Sequence, residues 1–176
     1  MQPSSRNIQL VTATIKDYQL IQNMARFYVY DLSRECGHTS SDWKLPEDGL
    51  YESFDFKYYL TEQFKKAFLV KVSEEIAGFV LINQEKEGVW NMGEFFIIAR
   101  FQGKGIASIV AQKTWKLFPG KWQISVIPEN KKAIAFWEKN IKNFTEDTFN
   151  KQIIEVTYDR HQPERMLFSF DSLNKK

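Results

Sequence analysis

The run Glu94-Phe95-Phe96-Ile97-Ile98-Ala99-Arg100-Phe101-Gln102-Gly103-Lys104-Gly105-Ile106-Ala107 is where this sequence could do chemistry. An apolar strand segment enters a turn with two glycines, and the turn opens a helical period. Glycine lets a backbone come close to a ligand. The first turn of a helix offers unpaired N–H groups and a partial positive charge. Together they form a site for phosphate or pyrophosphate, with Arg100 and Lys104 adding charge nearby. The plain alternative is a tight turn that binds nothing. Two familiar glycine loops do not fit. A dinucleotide fingerprint needs a third glycine or alanine where Ser108 stands, and a βαβ unit where the preceding strands read as hairpins. A Gly-Lys-Ser/Thr phosphate loop fails because Ile106 follows Gly105.

Other reactive side chains are few. Cys36 has His38 two residues away and no further support as a nucleophile, so it reads as a partly buried structural thiol. His38 and His161 are too few for a metal centre, and no acidic spacing assists them; no metal is expected. Trp43, Tyr51 and Phe54 suit either a pocket wall or lid packing, and Asp42, Glu47 and Asp48 give their loop an acidic bias that favours a cationic partner. Lys65-Lys66 reads as solvated surface, and so does Lys131-Lys132 unless it meets phosphates.

The 176 residues suit one domain, taken as 1–176 with its core over about 8–170. A formal net charge of +2 is too balanced for a protein whose main work is neutralising a polyanion, so no nucleic acid is expected. No membrane-spanning run or secretory leader is seen, and one Cys rules out an intrachain disulfide; a cytoplasmic location is expected. With 15 Phe, much of the aromatic content should form core and pocket walls. Ile8 to Ala13 predicts a short strand, and Thr14 with Asp17 a capping box. Tyr18, Ile21, Ala25, Tyr28, Val29 and Leu32 fall on one stripe of a helix that stops before Gly37. A long loop over His38 to Tyr51 and a short helix near Tyr58 to Phe64 follow. Ala67–Val72 and Ile76–Ile82 predict a hairpin, and Val89 to Ile98 a third strand. After the glycine turn come a helix ended by Pro119-Gly120, a strand from Trp122 to Ile127 and a helix from near Asn130. Gln152 to Tyr158 and Met166 to Phe170 predict two last strands. The order β-α-(α)-β-β-β-α-β-α-β-β implies a mixed sheet, not a regularly alternating parallel one.

These residues resemble a family. Arg100-x-x-Gly103-x-Gly105 matches the Arg/Gln-x-x-Gly-x-Gly/Ala motif of the GCN5-related N-acetyltransferases (GNAT). Asn130-x-x-Ala133-x-x-Phe136-Trp137 follows at the family's distance, and the likeness runs from about Ile8 to Phe170. The Glu94-Phe95-Phe96 start and the Phe136-Trp137 pair look like a bacterial subgroup of predicted acetyltransferases. The resemblance implies an α/β (α+β) fold, with a mixed, mostly antiparallel central sheet, helices on both faces and a splayed parallel strand pair. It implies an enzyme that moves an acetyl group from acetyl-CoA to a primary amine, directly and in a ternary complex. The amides of Gln102, Gly103, Lys104, Gly105, Ile106 and Ala107 would cradle the pyrophosphate. The main chain of Phe96, Ile97 and Ile98 would pair with pantetheine, Asn130 would hydrogen-bond it, and Phe136 would pack beside it.

Two positions in the resemblance bear on mechanism. Many relatives place a proton-donating Tyr where Trp137 stands, and an indole is no general acid at neutral pH. Glu94 begins an apolar strand segment where relatives sometimes place a base; beside Phe95 and Phe96 its pKa would rise to suit that role. Alternatively Glu94 faces solvent or pairs with a lysine. A non-catalytic acyl-CoA-binding module is the rival function. The acceptor and the choice between monomer and homodimer are left open.

Overall fold

The structure, a computed structural model, describes residues 7–51 and 54–173. Seven strands form one sheet in the order β1-β2-β3-β4-β5-β7-β6. They are β1 (Ile8–Thr12), β2 (Lys65–Val72), β3 (Glu75–Gln84), β4 (Trp90–Ile97), β5 (Lys121–Val126), β6 (Phe149–Glu155) and β7 (Glu164–Asp171). The regular helices are α1 (Tyr18–Cys36), α2 (Lys57–Thr61), α3 (Ile106–Leu117) and α4 (Lys131–Phe144). Every neighbouring pair is antiparallel except β4 and β5.

The sheet is covered on both faces, which is why β3 reads as a continuous apolar run and not an alternating one. On one face Val80, Ile82, Met92 and Ile97 pack with Val110 and Trp115 of α3 and Trp137 and Ile141 of α4. On the other, Leu69, Phe79, Leu81 and Phe96 pack with Ile21, Met24 and Ala25 of α1 and with Phe56 and Tyr59. The expected stripe of α1 is thus its buried face. The capping box also forms: Thr14 N–H donates to Asp17 Oδ2 at 2.8 Å. It opens one 3-10 turn, Ile15–Asp17, that runs on into α1.

Two expectations need correction. The short helix is a single turn over Lys57–Thr61, and β2 begins at Lys65, so Lys65 and Lys66 lie in the strand. The sixth strand ends at Glu155, and Val156 to Tyr158 belong to the connection to β7. Much of the aromatic content lies in the core, as expected, while Phe27, Phe54 and Phe64 are 63%, 56% and 61% exposed.

The functional geometry begins where β4 and β5 part. They pair only at Trp90–Trp122 and Asn91–Gln123, and beyond those residues no pairing joins them. A β-bulge lies at the same place on the other side of β4. Leu81 faces Glu94 and Ile82 faces Met92, so Gly93 is the extra residue. A bulge bends its strand and raises the local twist, which suits a strand leaving its parallel neighbour.

Candidate active site

The glycine turn is built as an open cradle. Gly103 and Gly105 have φ of +71° and +74°, values that favour glycine. Space around both is open: an added Cβ at either would meet no atom within 4 Å. Among the described residues, no hydrogen bond uses the amides of Gly103, Lys104 or Gly105. The first backbone bond into α3 is Ile109 N–H to Gly105 O at 3.2 Å. The amides of Ile106, Ala107 and Ser108 therefore belong to the unpaired first turn of a helix. Gln102 has a different part. Its amide donates to Ala99 O at 3.1 Å. Its side chain donates to Ile97 O at 2.7 Å and to Asp31 of α1 at 3.3 Å. Gln102 thus anchors the turn, while the free amides begin at Gly103. Lys104 Nζ donates to Arg100 O at 2.9 Å, and Arg100 pairs with Glu75 at 3.3 Å; both side chains stay exposed.

Between the parted strands and the neighbouring loops lies a cavity of about 1080 Å³. Met92 to Phe95 of β4 and Gln123 to Val126 of β5 line its floor. Asn130, Ala133 and Trp137 line the α4 side. Asn130 caps α4, its Oδ1 accepting from Ala133 N–H at 3.1 Å, so its Nδ2 is the polar group left for a ligand. Phe136 stacks edge-on with Trp137 at 4.8 Å and tilts against Phe95 at 6.0 Å. Trp137 is 5% exposed and meets Phe95 edge-on at 5.0 Å. Phe96 and Ile97 are buried, Ile98 is half-buried, and Ile98 N–H donates to Ala77 O at 2.8 Å.

Glu94 lines this cavity from the α1 side and is half-buried. Among the described residues it has no ion-pair partner. Burial against the aromatic layer pushes its carboxyl up to about 7, while the Tyr28 hydroxyl on the same cavity wall pulls the other way. Such a group changes charge near neutral pH, as a general base should. The neighbouring Gly93 is required by close approach: a Cβ there would fall 2.0 Å from the Tyr59 hydroxyl.

The far wall is a clamp between two loops. Asp42 Oδ2 meets His161 Nδ1 at 2.7 Å, and Trp43 Nε1 donates to Gln162 Oε1 at 2.7 Å. The Gln162 amide also donates to Thr39 Oγ1, and Arg165 pairs with Asp159 at 2.7 Å. Trp43, Tyr51, Phe54 and Tyr158 face the cavity, so the pocket-wall reading of the first three holds. Asp42 is taken by His161, which lessens the acidic character its loop offers a ligand. Cys36 is buried at the end of α1, and burial pushes its thiol up to about 11, the state of an inert structural residue.

Sequence reasoning placed Tyr28 only on the buried stripe and missed the Gly93 bulge and the loop clamp. An isolated glycine inside a strand pattern was the available signal for the bulge. Nothing local could join residues 119 apart, as in Asp42–His161. No group of three or more His, Cys, Asp or Glu among the described residues could hold a metal, and no described helix is long and apolar enough to cross a membrane.

Comparison with known proteins agrees with this geometry. The acetyltransferase (GNAT) family model matches residues 27–141, well over half the chain. No curated protein matches significantly. Among solved structures, an acetyltransferase from Thermus thermophilus aligns with a TM-score of 0.66 and 15% identity, covering 97% of this chain and 99% of that one. A ribosomal L7/L12 α-N-protein acetyltransferase, RimL, in complex with coenzyme A, aligns at 0.64 and 16%, covering 97% of each chain. A spermidine N-acetyltransferase from Vibrio cholerae aligns at 0.61 and 16%, covering 95% of each. At these identities the likeness to solved structures is one of fold.

Proposed function

The chain belongs to the acetyltransferase (GNAT) family, and from that premise we propose that it moves an acetyl group from acetyl-CoA to a primary amine, directly and in a ternary complex. Three observations support this reading together: the free amides of Gly103 to Gly105 just past the end of β4, the gap between β4 and β5, and Glu94 in the cavity that the gap opens into. The residues fit the cosubstrate. A diphosphate takes hydrogen bonds from the amides at 103 to 107, and the open space at Gly103 and Gly105 lets it approach. The edge of β4 through Phe96, Ile97 and Ile98 offers main-chain partners to the pantetheine amides, less the Ile97 carbonyl held by Gln102 and the Ile98 amide held by Ala77. Asn130 Nδ2 and the Phe136 ring complete that groove. When bound, acetyl-CoA supplies an activated acetyl thioester.

Glu94 then accepts the proton an ammonium must lose before its nitrogen can form the new N–C bond. The C–S bond breaks as the N–C bond forms; the acylated nitrogen sheds its second proton to solvent, and the departing sulfur takes one from solvent, because Trp137 has none to give at neutral pH. Positioning does the rest, since the aromatic walls and the clamped loops hold the amine against the thioester. The spermidine and ribosomal-protein acetyltransferases of like fold both act on amines, by their names. A small molecule, a protein N-terminus and a lysine all fit this acceptor class. The buried lone Cys36 suits a reducing cytoplasm. The test is a panel of amines assayed for thiol release from acetyl-CoA. Turnover that Glu94→Gln slows supports the proposal. Binding of acetyl-CoA with no turnover over a broad panel would instead favour an acyl-CoA-binding module.

A further inference from the structure

Four aromatic rings face the cavity away from its floor. Trp43, Tyr51 and Phe54 come from the connection between α1 and α2, and Tyr158 from that between β6 and β7. Phe54 is 56% and Tyr158 74% exposed, so core packing does not account for either. Each of the four is braced. The Trp43 indole N–H is held by Gln162, and Tyr51 lies against the Tyr30 ring at 6.4 Å. Phe54 lies against Phe56 at 6.0 Å, and the Arg165 guanidinium sits over Tyr158 at 5.7 Å. Charge on the same walls is mostly answered within the chain. Asp42 meets His161 and Asp159 meets Arg165, both at 2.7 Å. Glu47 and Asp48 of the acidic loop do not line the cavity. Lys44 does, exposed and in no ion pair among the described residues. Apart from Glu94, the lining carboxylate without an ion pair is Glu85, which accepts from Asn83 Nδ2 at 2.8 Å.

We propose that the acceptor is a small primary monoamine with an aromatic or alkyl body, seated among Trp43, Tyr51, Phe54 and Tyr158, and not a polyamine. The inference rests on the acetyl-transfer reading above. An apolar body takes both itself and the exposed rings out of water, which favours binding in proportion to the area covered. A second ammonium group gains nothing of the kind. It enters beside the Lys44 cation, gives up its hydration, and finds Glu85 as its one unpaired carboxylate besides the base. A cavity of about 1080 Å³ has the scale of a small-molecule site.

The experiment measures kcat/KM for thiol release from acetyl-CoA with phenethylamine, hexylamine, ethanolamine and spermidine. In parallel, saturation-transfer NMR with CoA added, where no acetyl can move, reports whether the phenethylamine ring touches the protein. Phenethylamine and hexylamine should exceed ethanolamine and spermidine roughly tenfold or more, the scale on which an apolar pocket discriminates. Saturation should reach the phenethylamine ring protons. Phe54→Ala and Tyr158→Ala, both at exposed positions, should lower the phenethylamine-to-ethanolamine ratio several-fold and weaken that saturation. Spermidine or ethanolamine turned over as well as phenethylamine would overturn the acceptor class and leave acetyl transfer standing. An unchanged ratio and unchanged saturation in both variants would overturn the aromatic seat. Phenethylamine bound with no amine acetylated would overturn the acetyl-transfer reading and the acceptor with it, and neither binding nor turnover would do the same.

Discussion

Glu94 is a carboxyl placed where folding would prefer it neutral. Burial raises its pKa from an ordinary 4.5 to about 7. Between those values the folded chain holds a proton that the unfolded chain has released. Stability therefore falls as pH rises through that window and stays lower above it. Glu94→Gln removes the cost, so the variant should be more stable than wild type at pH 8 by roughly 1–3 kcal/mol and little changed at pH 4, as measured by urea unfolding. The same substitution should lower kcat/KM by about 10²- to 10⁴-fold, the usual worth of a positioned base. In the wild type kcat/KM should rise with pH through about 7, because the carboxylate form accepts the proton. A variant that is less stable at pH 8 yet fully active would contradict both statements. Glu94 was legible in the sequence as a carboxylate among aromatics. Its neighbour Tyr28 was not, because a tyrosine on a buried helical stripe looks like any other core residue until the fold brings it to the cavity wall.

The elements place that residue through strain-free but demanding packing. The bulge at Gly93 turns Glu94 toward α1 and coincides with the parting of β4 from β5. Gly93→Ala would drive a methyl group against the Tyr59 hydroxyl and close to the Leu81 carbonyl, 3.2 Å away. It should destabilise the protein by roughly 1–3 kcal/mol, the range for overpacking. Adding Tyr59→Phe should recover part of that loss, and equal stability of the single and double variants would show that the clash lies elsewhere. In the proposed function the loop clamp lies on the acceptor side. Gln162→Ala frees Trp43 Nε1 and Thr39 and should raise KM for the amine several-fold while leaving KM for acetyl-CoA unchanged. A rise in both would mean that the clamp supports the whole cavity. The strand–glycine–helix unit was readable because all its signals lie within one short segment. The end of β6 was not: Val156 to Tyr158 carry apolar residues that suit a strand, and Val156 N–H still bonds Pro163 O in register at 2.8 Å, yet beyond it Gln162 and His161 are drawn across to the Thr39–Trp43 loop.

At the scale of the molecule, one sheet covered on both faces is opened at a single seam, with Glu94 in the cavity beside it and the glycine turn just past the end of β4. A ligand that bridges them should stabilise the fold. At one hundred times its Kd, acetyl-CoA adds about 2.7 kcal/mol. For a chain of this size that is a rise in Tm of about 5–10 °C, with no rise for NAD or ATP. The architecture was legible because hairpins followed by crossover units leave few alternatives. The proposed acceptor pocket was not, since the cavity walls there come from Trp43, Tyr51, Phe54 and Tyr158 on segments that meet only after folding. The central claim is that free amides at the glycine turn hold a diphosphate. Calorimetric titration of acetyl-CoA into the wild type and into Gly103→Glu tests it most directly. One site per chain in the wild type, lost when a carboxylate occupies the cradle, is the expected result; equal affinity in the two proteins, or no heat from either, would contradict it.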